Sequence, residues 1–346
     1  MRVLVTGGSG FIGTAITGRL LRAGAQILNV EAPATGSSPE ALADWTGSRR
    51  YQVRTGDICD IDLMLGLFED FQPDVVLNCA AEQQVDRSPD GARGYLKTNF
   101  VGTYTLLEAA RHWWAGRRGD YRFHQISTDE VYGGLELGEA EIVDPDTAAP
   151  RTPYAASKAL ADNLVHAWGQ TYGLPVVATQ CANNYGPWQF PEKLIPLMVT
   201  NGIQGRSLAL SGSGENLRDW VHVSDHAEAV ARVLEYGQTG ETYRIGGAHA
   251  QRNKDVVRQI CEALDERLPD AAPHHRRISQ TTDRTQRQQR LAAQSELAAT
   301  QIGWQPNVGF RQGLVSTVDW YLDNQDWWQR LRKKPKSEEK RELAVA

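Results

Sequence analysis

The chain has 346 residues, and its 37 Lys and Arg residues against 42 Asp and Glu give a formal net charge of −5. This length suffices for one large domain or two modest ones, and we expect two lobes. The charge leaves no broad basic field, so neither nucleic acid nor an anionic membrane is expected as the main partner.

The termini and the cysteines limit the class of protein further. The N-terminal MRVLVTGG lacks a signal-peptide pattern, and no apolar run reaches the length of a membrane span, so we expect a cytoplasmic protein. The four cysteines form no CxxC pair, and no metal site is predicted.

Short apolar runs alternate with amphipathic segments through the first half of the chain. The predicted strands are RVLVT, QILNV, YQVRT, PDVVLNCA, YRFHQIS and PVVATQC. The predicted helices end near Arg22, surround LMLGLF, and extend from Gly91 to Trp114 and from Pro153 to Tyr172. Strict alternation of this kind predicts an α/β fold with a doubly wound parallel sheet of the Rossmann type.

The later part of the chain is less regular. It contains a predicted loop-rich block at 183–218, a helix from Ser224 to Tyr236, a strand at TYRI, and helices near 254–267, 293–301 and 309–324. We assign 1–182 and 219–250 to the Rossmann domain, and 183–218 with 251–330 to a smaller, partly discontinuous substrate-binding lobe. The mixed-charge tail at 331–346 is predicted to be disordered.

The first predicted strand is followed by TGGSGFIG, in which Gly7, Gly10 and Gly13 open a helix. Glycines at this position allow a tight turn and a close approach of the backbone to a pyrophosphate, which the helix N-terminus then attracts. Glu31 ends the second strand, where a carboxylate binds ribose hydroxyls and repels a 2′-phosphate. The pattern therefore favours NAD over NADP.

Two further strand ends are candidates for cofactor contacts. Asp57 and Ile58 follow the third strand and are expected near the adenine, and Ala80 and Ala81 follow the fourth. Small residues at that edge allow a cofactor to pass close to the backbone. Ordinary packing explains the two alanines equally well.

The stretch ISTDEVYGG places two carboxylates, Asp129 and Glu130, directly after a strand. In a dry cleft two neighbouring carboxylates divide into an acid and a base because they do not both ionise cheaply. The alternative is that Asp129 is a helix N-cap and Glu130 a capping-box residue, although Gly133 and Gly134 would end any helix that begins there.

A YxxxK pair, Tyr154 and Lys158, lies near the start of the helix marked by Pro153. The i, i+4 spacing puts both on one helical face, where the ammonium is expected to lower the pKa of the phenol. A phenolate there is a suitable base for a hydroxyl whose carbon loses a hydride. Without the glycine turn upstream, a surface pair would be the default interpretation.

The motifs TGGSGFIG, ISTDEVYG, YAASK, NNYGPWQFPEKLIP and RDWVHVSDHA together resemble the extended short-chain dehydrogenase/reductases, and among them the nucleotide-sugar 4,6-dehydratases. The resemblance extends from Arg2 to about Trp328. It implies a tightly bound NAD that is regenerated in each turnover, with Phe11, Ile12 and Asn99 among its contacts. It also implies that Thr128 assists Tyr154 and Lys158.

By this resemblance Asp129 and Glu130 eliminate water from a sugar. Oxidation of C4 to a ketone makes the C5 proton acidic, Glu130 removes that proton, and a protonated Asp129 donates to the departing C6 hydroxyl. Return of the hydride to C6 gives a 4-keto-6-deoxy sugar. Return to C4 instead would leave an exocyclic 5,6-alkene on a nucleoside or UDP-sugar. An epimerase, a decarboxylase or a catalytically silent binding protein on the same scaffold are weaker alternatives.

The resemblance also supplies substrate residues and points to departures. The matching positions are Asn183, Lys193, Arg218, Asn253 and Arg284, whereas Gln83 and Gln84 replace a Ser and a His near the sugar. Ala209 and Ser211 stand where these dehydratases use a Pro and a Tyr to hold thymine. The base is therefore not expected to be restricted to thymine, and the abundance of Arg and Ala hints at secondary metabolism such as antibiotic biosynthesis.

A homodimer is expected from the resemblance, through the helices that carry Asn99 to Trp114 and Tyr154 to Trp168. Their apolar side chains include Leu106, Leu107, Leu160 and Leu164. These leucines fit a dimer interface or a core that faces the sheet equally well.

Overall fold

The computed structural model describes residues 1–32, 37–83, 92–133, 148–247, 250–281, 290–291 and 296–333. The strands are β1 (Arg2–Thr6), β2 (Gln26–Glu31), β3 (Tyr51–Thr55), β4 (Val75–Asn78), β5 (Arg122–Thr128), β6 (Val176–Cys181), β7 (Asn183–Tyr185), β8 (Leu208–Ser211), β9 (Leu217–Arg218), β10 (Trp220–His222), β11 (Thr242–Ile245), β12 (Gln251–Arg252), β13 (Ile278–Thr281) and β14 (Arg290–Leu291).

Helices alternate with the strands of the first half and dominate the rest of the chain. They are α1 (Phe11–Arg22), α2 (Ile61–Phe71), α3 (Ala92–Tyr95), α4 (Gly102–Trp114), α5 (Pro153–Tyr172), α6 (Leu194–Ile203), α7 (Val223–Tyr236), α8 (Asn253–Arg267), α9 (Glu296–Gln301), α10 (Phe310–Asp323) and α11 (Gln325–Lys333). Within the described residues, no helix is long and apolar enough to cross a membrane.

The main sheet has seven parallel strands in the order β11-β6-β5-β4-β1-β2-β3. The chain leaves β1 in one direction through β2 and β3, and it returns to the other side of β1 with β4. This reversal makes the carboxyl ends of β1 and β4 the point where an open sheet binds ligands. The predicted doubly wound parallel sheet is confirmed.

Both faces of the sheet are covered because successive side chains of a strand point to opposite sides. In β4, Val76 packs with Phe68 of α2 and Leu107 of α4, whereas Leu77 packs with Ile16 of α1 and Val230 of α7. Leu106 and Leu107 are fully buried, so for these two the core interpretation is correct. Leu160 of α5 is 44% exposed.

The helix predicted from Gly91 to Trp114 is not continuous, and Gly91 itself lies outside the described residues. Between α3 and α4, residues Leu96–Val101 form a π-helical segment. The wider turn coincides with a buried polar residue, Asn99, which is 1% exposed. π-segments inside helices are often found at functional sites.

A second hydrophobic core lies among α6, α8, α10 and α11. Its fully buried members include Ile195, Val257, Leu314 and Trp328. The block at 183–218 was expected to be rich in loops, but it contains the ten-residue helix α6. The run LIPLMV has no polar face, so its helical period is visible only once it packs on α8 and α10.

Two boundaries of the smaller lobe differ from the expectation. The tail was expected to be disordered from 331, but α11 continues to Lys333, and residues 334–346 lie outside the described part. Residues 296–304 were assigned to the smaller lobe, yet Ile302 and Trp304 pack with Tyr243 of the main sheet. The remaining division into two lobes stays a prediction.

Candidate active site

The glycine turn lies between β1 and α1 at the point where the strand order reverses. Gly7 has φ +66°, and a Cβ added to Gly13 would stand 2.1 Å from the carbonyl oxygen of Gly7. Neither position accepts a side chain without rearrangement. Gly10 precedes α1 and no side chain caps the helix, so its N-terminus faces the turn as a site for an anion.

Glu31 closes this turn from the end of β2. Its Oε1 accepts hydrogen bonds from the backbone N of Ser9 and from Nδ2 of Asn29, the latter at 2.9 Å. Asn29 Oδ1 in turn accepts from the backbone N of Gly8 at 2.9 Å. Asn29 is fully buried and was missed by the sequence interpretation, although a polar residue inside the run QILNV was a signal.

The other predicted cofactor residues at strand ends fall into two groups. The backbone N of Ala80 donates to Thr6 Oγ1 at 3.1 Å, and the Cα of Ala80 would lie 3.0 Å from a Cβ added to Gly7. The residues after β4 therefore lie against the glycine turn, and Ala81 follows Ala80 there. Ile58 is buried in the core, and Asp57 forms an ion pair of 2.8 Å with Lys97.

Asn99 uses its amide to join two elements at the site. Its Nδ2 donates to Ser157 Oγ at 2.9 Å and to the carbonyl of Glu82 at 3.1 Å, while Oδ1 accepts from the backbone N of Glu82 at 2.8 Å. The π-helical segment thus ties the end of β4 to α5. This gives Asn99 a structural task beside its predicted cofactor contact.

Asp129 and Glu130 begin a single 3-10 turn, Asp129–Tyr132, that follows β5. The cap of the turn is Thr128, whose Oγ1 accepts from the backbone N of Glu130 at 3.3 Å. Gly133 leaves the turn with φ +69°. The alternative in which Asp129 caps a helix is therefore wrong, and both carboxylates are free of a capping duty.

The two carboxylates have different surroundings. Asp129 is 5% exposed, and its Oδ2 has no hydrogen-bond partner among the described residues. Burial, then the charges of Glu130 and Asp219, raise the pKa of Asp129 to about 8, against an opposing effect of Arg218. Asp129 therefore carries its proton at neutral pH and is suited to donate it. Glu130 is only partly buried.

Tyr154 and Lys158 lie on the first turns of α5, which Thr152 caps through a hydrogen bond of 3.0 Å from the backbone N of Ala155. Lys158 is 3% exposed, and its Nζ donates to the carbonyl of Ile126 at 2.7 Å. Burial lowers the pKa of Lys158, and the charge of Asp162 opposes this.

The expected lowering of the Tyr154 pKa by Lys158 is not what the structure gives. Burial, followed by the negative charges of Glu130, Asp162 and Asp129, holds the pKa of Tyr154 well above its ordinary value. Burial is the largest cause of this shift, and the Lys158 ammonium donates to the Ile126 carbonyl. The charge interactions also bring Tyr154 and both carboxylates into one site.

The predicted substrate residues are only partly brought together. Arg218 donates to Asn183 Oδ1 at 3.1 Å, and Asn253 begins α8 directly after β12, the strand that pairs with β9. Lys193 is exposed at the start of α6, and Gln83 is exposed beyond β4. Gln84 and Arg284 lie outside the described residues.

The candidate base-binding positions lie on β8. Leu208 and Leu210 are buried, while Ala209 and Ser211 alternate with them on the exposed face. This face offers the small side chains that the sequence indicated. Among the residues that the structure describes, no group of three or more His, Cys, Asp or Glu is placed to hold a metal ion.

Three buried polar residues around the site were missed. Asp219 is 3% exposed and accepts from the backbone N of Gly247 at 2.8 Å, and its charge acts on Asp129. Asp162 and Gln180 lie behind the turn Asp129–Tyr132, which we call the acid–base turn. The position of Asp162, four residues after Lys158 on the same helical face, was the available signal.

The site combines four features: a Rossmann-type sheet, a glycine turn at its switch point, a Tyr–Lys pair on α5 and an acid pair after β5. Together they define the class of short-chain dehydrogenase/reductase sites. The match to one family is specific. Residues 4–317 match the model described as GDP-mannose 4,6 dehydratase, and the chain belongs to this family.

Individual relatives are similar over nearly the whole chain. A dTDP-glucose 4,6-dehydratase from Escherichia coli is 44% identical, with 94% of each chain covered, and a probable dTDP-glucose 4,6-dehydratase from Sinorhizobium fredii is 44% identical, with 98% covered. The crystal structure of dTDP-glucose 4,6-dehydratase from Bacillus anthracis, a complex with NAD, superposes with a TM-score of 0.85 at 37% identity and covers 96% of this chain and 99% of that one.

Proposed function

We propose that the protein is an NAD-dependent dehydratase that oxidises C4 of a nucleotide-linked hexose, eliminates water across C5 and C6, and returns the hydride. The observation that carries the proposal is the buried carboxyl of Asp129, whose Oδ2 has no hydrogen-bond partner among the described residues, next to the more exposed Glu130. The names of the relatives at 42–44% identity support the same activity.

The described glycine turn fits NAD. The positive φ of Gly7, the space denied to a Cβ at Gly13 and the uncapped start of α1 would hold the pyrophosphate, and Glu31 would face the adenosine ribose. When bound, NAD accepts the hydride from C4 and supplies it again after the elimination.

The chain's own residues perform the proton transfers. Tyr154 takes the C4 hydroxyl proton as the phenolate, with Thr128 at the end of β5 and Lys158 four residues later on α5. The phenol has to lose its own proton first, because burial and the neighbouring carboxylates hold its pKa high. Glu130 removes the C5 proton, which the C4 ketone has made acidic. Asp129 donates its proton to the C6 hydroxyl, which leaves as water. The raised pKa of Asp129 suits this donation at neutral pH.

The substrate is a hexose on a nucleoside diphosphate, held on its phosphate side by Arg218, Lys193 and Arg284. Arg218 also acts electrostatically on Asp129, which supports a phosphate side close to the proposed dehydration acid. The small side chains of Ala209 and Ser211 leave the base without an aromatic partner on β8. We therefore expect dTDP-glucose and UDP-glucose to be distinguished less sharply than by an enzyme with a stacking Tyr.

The test is incubation of the purified protein with dTDP-glucose and with UDP-glucose, followed by mass spectrometry and trapping with hydroxylamine. A dehydrated product that hydroxylamine traps supports the 4-keto-6-deoxy sugar. A dehydrated product that is not trapped indicates return of the hydride to C4 and an exocyclic 5,6-alkene. Activity that survives in both Asp129→Asn and Glu130→Gln would instead favour an epimerase.

The outer face of α4 and α5 supports assembly as a homodimer. Its exposed apolar side chains include Val101 at 42%, Tyr104 at 45% and Leu160 at 44%. A Tyr104→Arg, Leu160→Arg double variant should be monomeric in analytical ultracentrifugation, whereas Val53→Arg, an equally exposed position on the edge strand β3, should leave the assembly unchanged.

The departures on β8 and the Arg- and Ala-rich composition support a role in secondary metabolism, such as antibiotic biosynthesis.

A further inference from the structure

Tyr132, the last residue of the acid–base turn, binds a row of polar side chains beneath it. Its hydroxyl donates to Oε1 of Gln180. The Nε2 of Gln180 donates to Oδ2 of Asp162 at 3.0 Å. The amide of Gln180 therefore has both ends engaged, and its orientation is fixed because the oxygen must face the phenol and the nitrogen the carboxylate.

Asp162 connects the same row to the start of the turn. Its Oδ2 also accepts from Ser127 Oγ at 2.7 Å, and Ser127 directly precedes Thr128, the cap of the turn. Asp162 is 5% exposed and lies four residues after Lys158 on α5. The Asp162 carboxylate thus binds Ser127 directly and Tyr132 through Gln180. Both ends of the turn are therefore anchored to one residue of α5, the helix that carries Tyr154 and Lys158.

The sheet places this row in register. Ser127 of β5 pairs with Gln180 of β6, and Gln180 pairs with Arg244 of β11. The Arg244 guanidinium lies 4.3 Å from the centre of the Tyr132 ring, as in a cation–π contact. Three neighbouring strands therefore support a turn that is only four residues long. Its own caps are the hydrogen bond to Thr128 Oγ1 and a bond of 3.1 Å from the backbone N of Gly133 to the carbonyl of Glu130.

We propose that Tyr132, Gln180 and Asp162 are positioning residues for the elimination step, which hold the Asp129–Glu130 turn in a fixed place relative to Tyr154 and Lys158. The inference rests on the proposed function. Elimination needs an acid and a base at the same time across one carbon–carbon bond, so it is more sensitive to a shift of the turn than the oxidation is. A misplacement of about 1 Å costs up to roughly a hundredfold in rate.

Tyr132→Phe isolates the contact, because it removes the hydroxyl that binds Gln180 and keeps the ring beneath Arg244. We expect water loss to slow roughly ten- to hundredfold. Oxidation should be nearly unchanged, because Lys158 keeps its bond to the Ile126 carbonyl. The oxidised sugar and reduced nicotinamide should then accumulate on the enzyme, which the near-ultraviolet absorbance of the reduced nicotinamide reports. Tyr243→Phe is the matched control, since it removes a buried hydroxyl with two hydrogen bonds from β11.

The experiment mixes the holoenzyme rapidly with dTDP-glucose and follows both that absorbance and water loss by quenched flow. Accumulation in Tyr132→Phe but not in Tyr243→Phe supports the inference, and Gln180→Met should show the same signature if Tyr132→Phe folds poorly. Wild-type behaviour in both variants, or equal slowing of oxidation and elimination, overturns it. Failure of the wild-type protein to release water from dTDP-glucose or UDP-glucose would count against the proposed function instead.

Discussion

At the scale of single residues, the fold separates two carboxylates that are adjacent in the chain. Asp129 is buried beside Asp219, whereas Glu130 is more exposed and donates its backbone N to Thr128. A carboxyl in a dry site with negative neighbours keeps its proton. The acid role proposed for Asp129 therefore rests on its burial.

The first prediction concerns the pH dependence of water loss. The active form of Asp129 is protonated, so the rate of elimination should fall as pH rises through about 8, the pKa of this carboxyl. Asp129→Asn should slow water loss by roughly 10²–10⁴-fold and abolish this alkaline limb, while oxidation persists. Single-turnover rates measured across the range check this. An unchanged alkaline limb in the variant would assign it to another group.

The second prediction concerns stability. The folded-state pKa of about 8 lies above the ordinary value of 3.8, so between them the native state keeps a proton that the unfolded chain has lost. Stability contributed by Asp129 therefore decreases as pH rises through this interval. The melting temperature of Asp129→Asn relative to wild type should increase from the lower to the upper end of it. Asp70→Asn, on the exposed side of α2, should show no such trend.

At the scale of elements, the structure contains glycines with space for a side chain and glycines without it. Gly13 lies against the carbonyl oxygen of Gly7, whereas a Cβ at Gly66, in the middle of α2, would meet nothing within 4 Å. The same substitution should therefore have opposite effects at the two positions. The TGGSGFIG motif indicated a special role for Gly13, and the structure adds the steric contact that explains it.

The third prediction follows from this contrast. Gly66→Ala should raise the free energy of unfolding by about 0.5–1 kcal/mol, because it removes backbone freedom from the unfolded chain at no steric cost. Gly13→Ala should lower stability and abolish NAD binding, because the methyl group displaces the Gly7 carbonyl from its place in the turn. Urea titration and NAD titration measure the two effects. Wild-type NAD affinity in Gly13→Ala would refute the assigned geometry.

Elements with clear signals at their ends were predictable from the sequence, and those without such signals were not. The strands of the main sheet, α5 and α10 follow from apolar period and from Pro and Gly at their ends. The first six residues of α6, LIPLMV, include no polar residue, and nothing in the LKTNFV sequence of Leu96–Val101 marks a π-helical segment. Both depend on what packs against them, which adjacent sequence does not contain.

At the scale of the whole molecule, the site joins residues from strand ends that are far apart in the chain. The motifs indicate candidate catalytic groups that lie within two short stretches, and their roles stay a prediction: Thr128, Asp129, Glu130, Tyr154 and Lys158. Burial and the adjacent Glu130 have the largest effects on the pKa of Asp129, and Asp219 adds to them from 90 positions away in the chain. The contribution of Asp219 appears only when β10 pairs with β7. The predicted effect of Lys158 on Tyr154 failed chiefly because the phenol is buried, which the sequence does not reveal.

The last prediction concerns the response of the whole fold to its cofactor. A ligand that binds only the native state stabilises it by about 2.7 kcal/mol at a concentration 100 times its Kd. NAD should therefore raise the melting temperature, and NADP should raise it less at equal concentration, because Glu31 stands at the end of β2 where a 2′-phosphate would lie. Gly13→Ala should lose the response to NAD. Equal shifts with NAD and NADP would show that Glu31 serves the glycine turn, through Ser9 and Asn29, without selecting the cofactor.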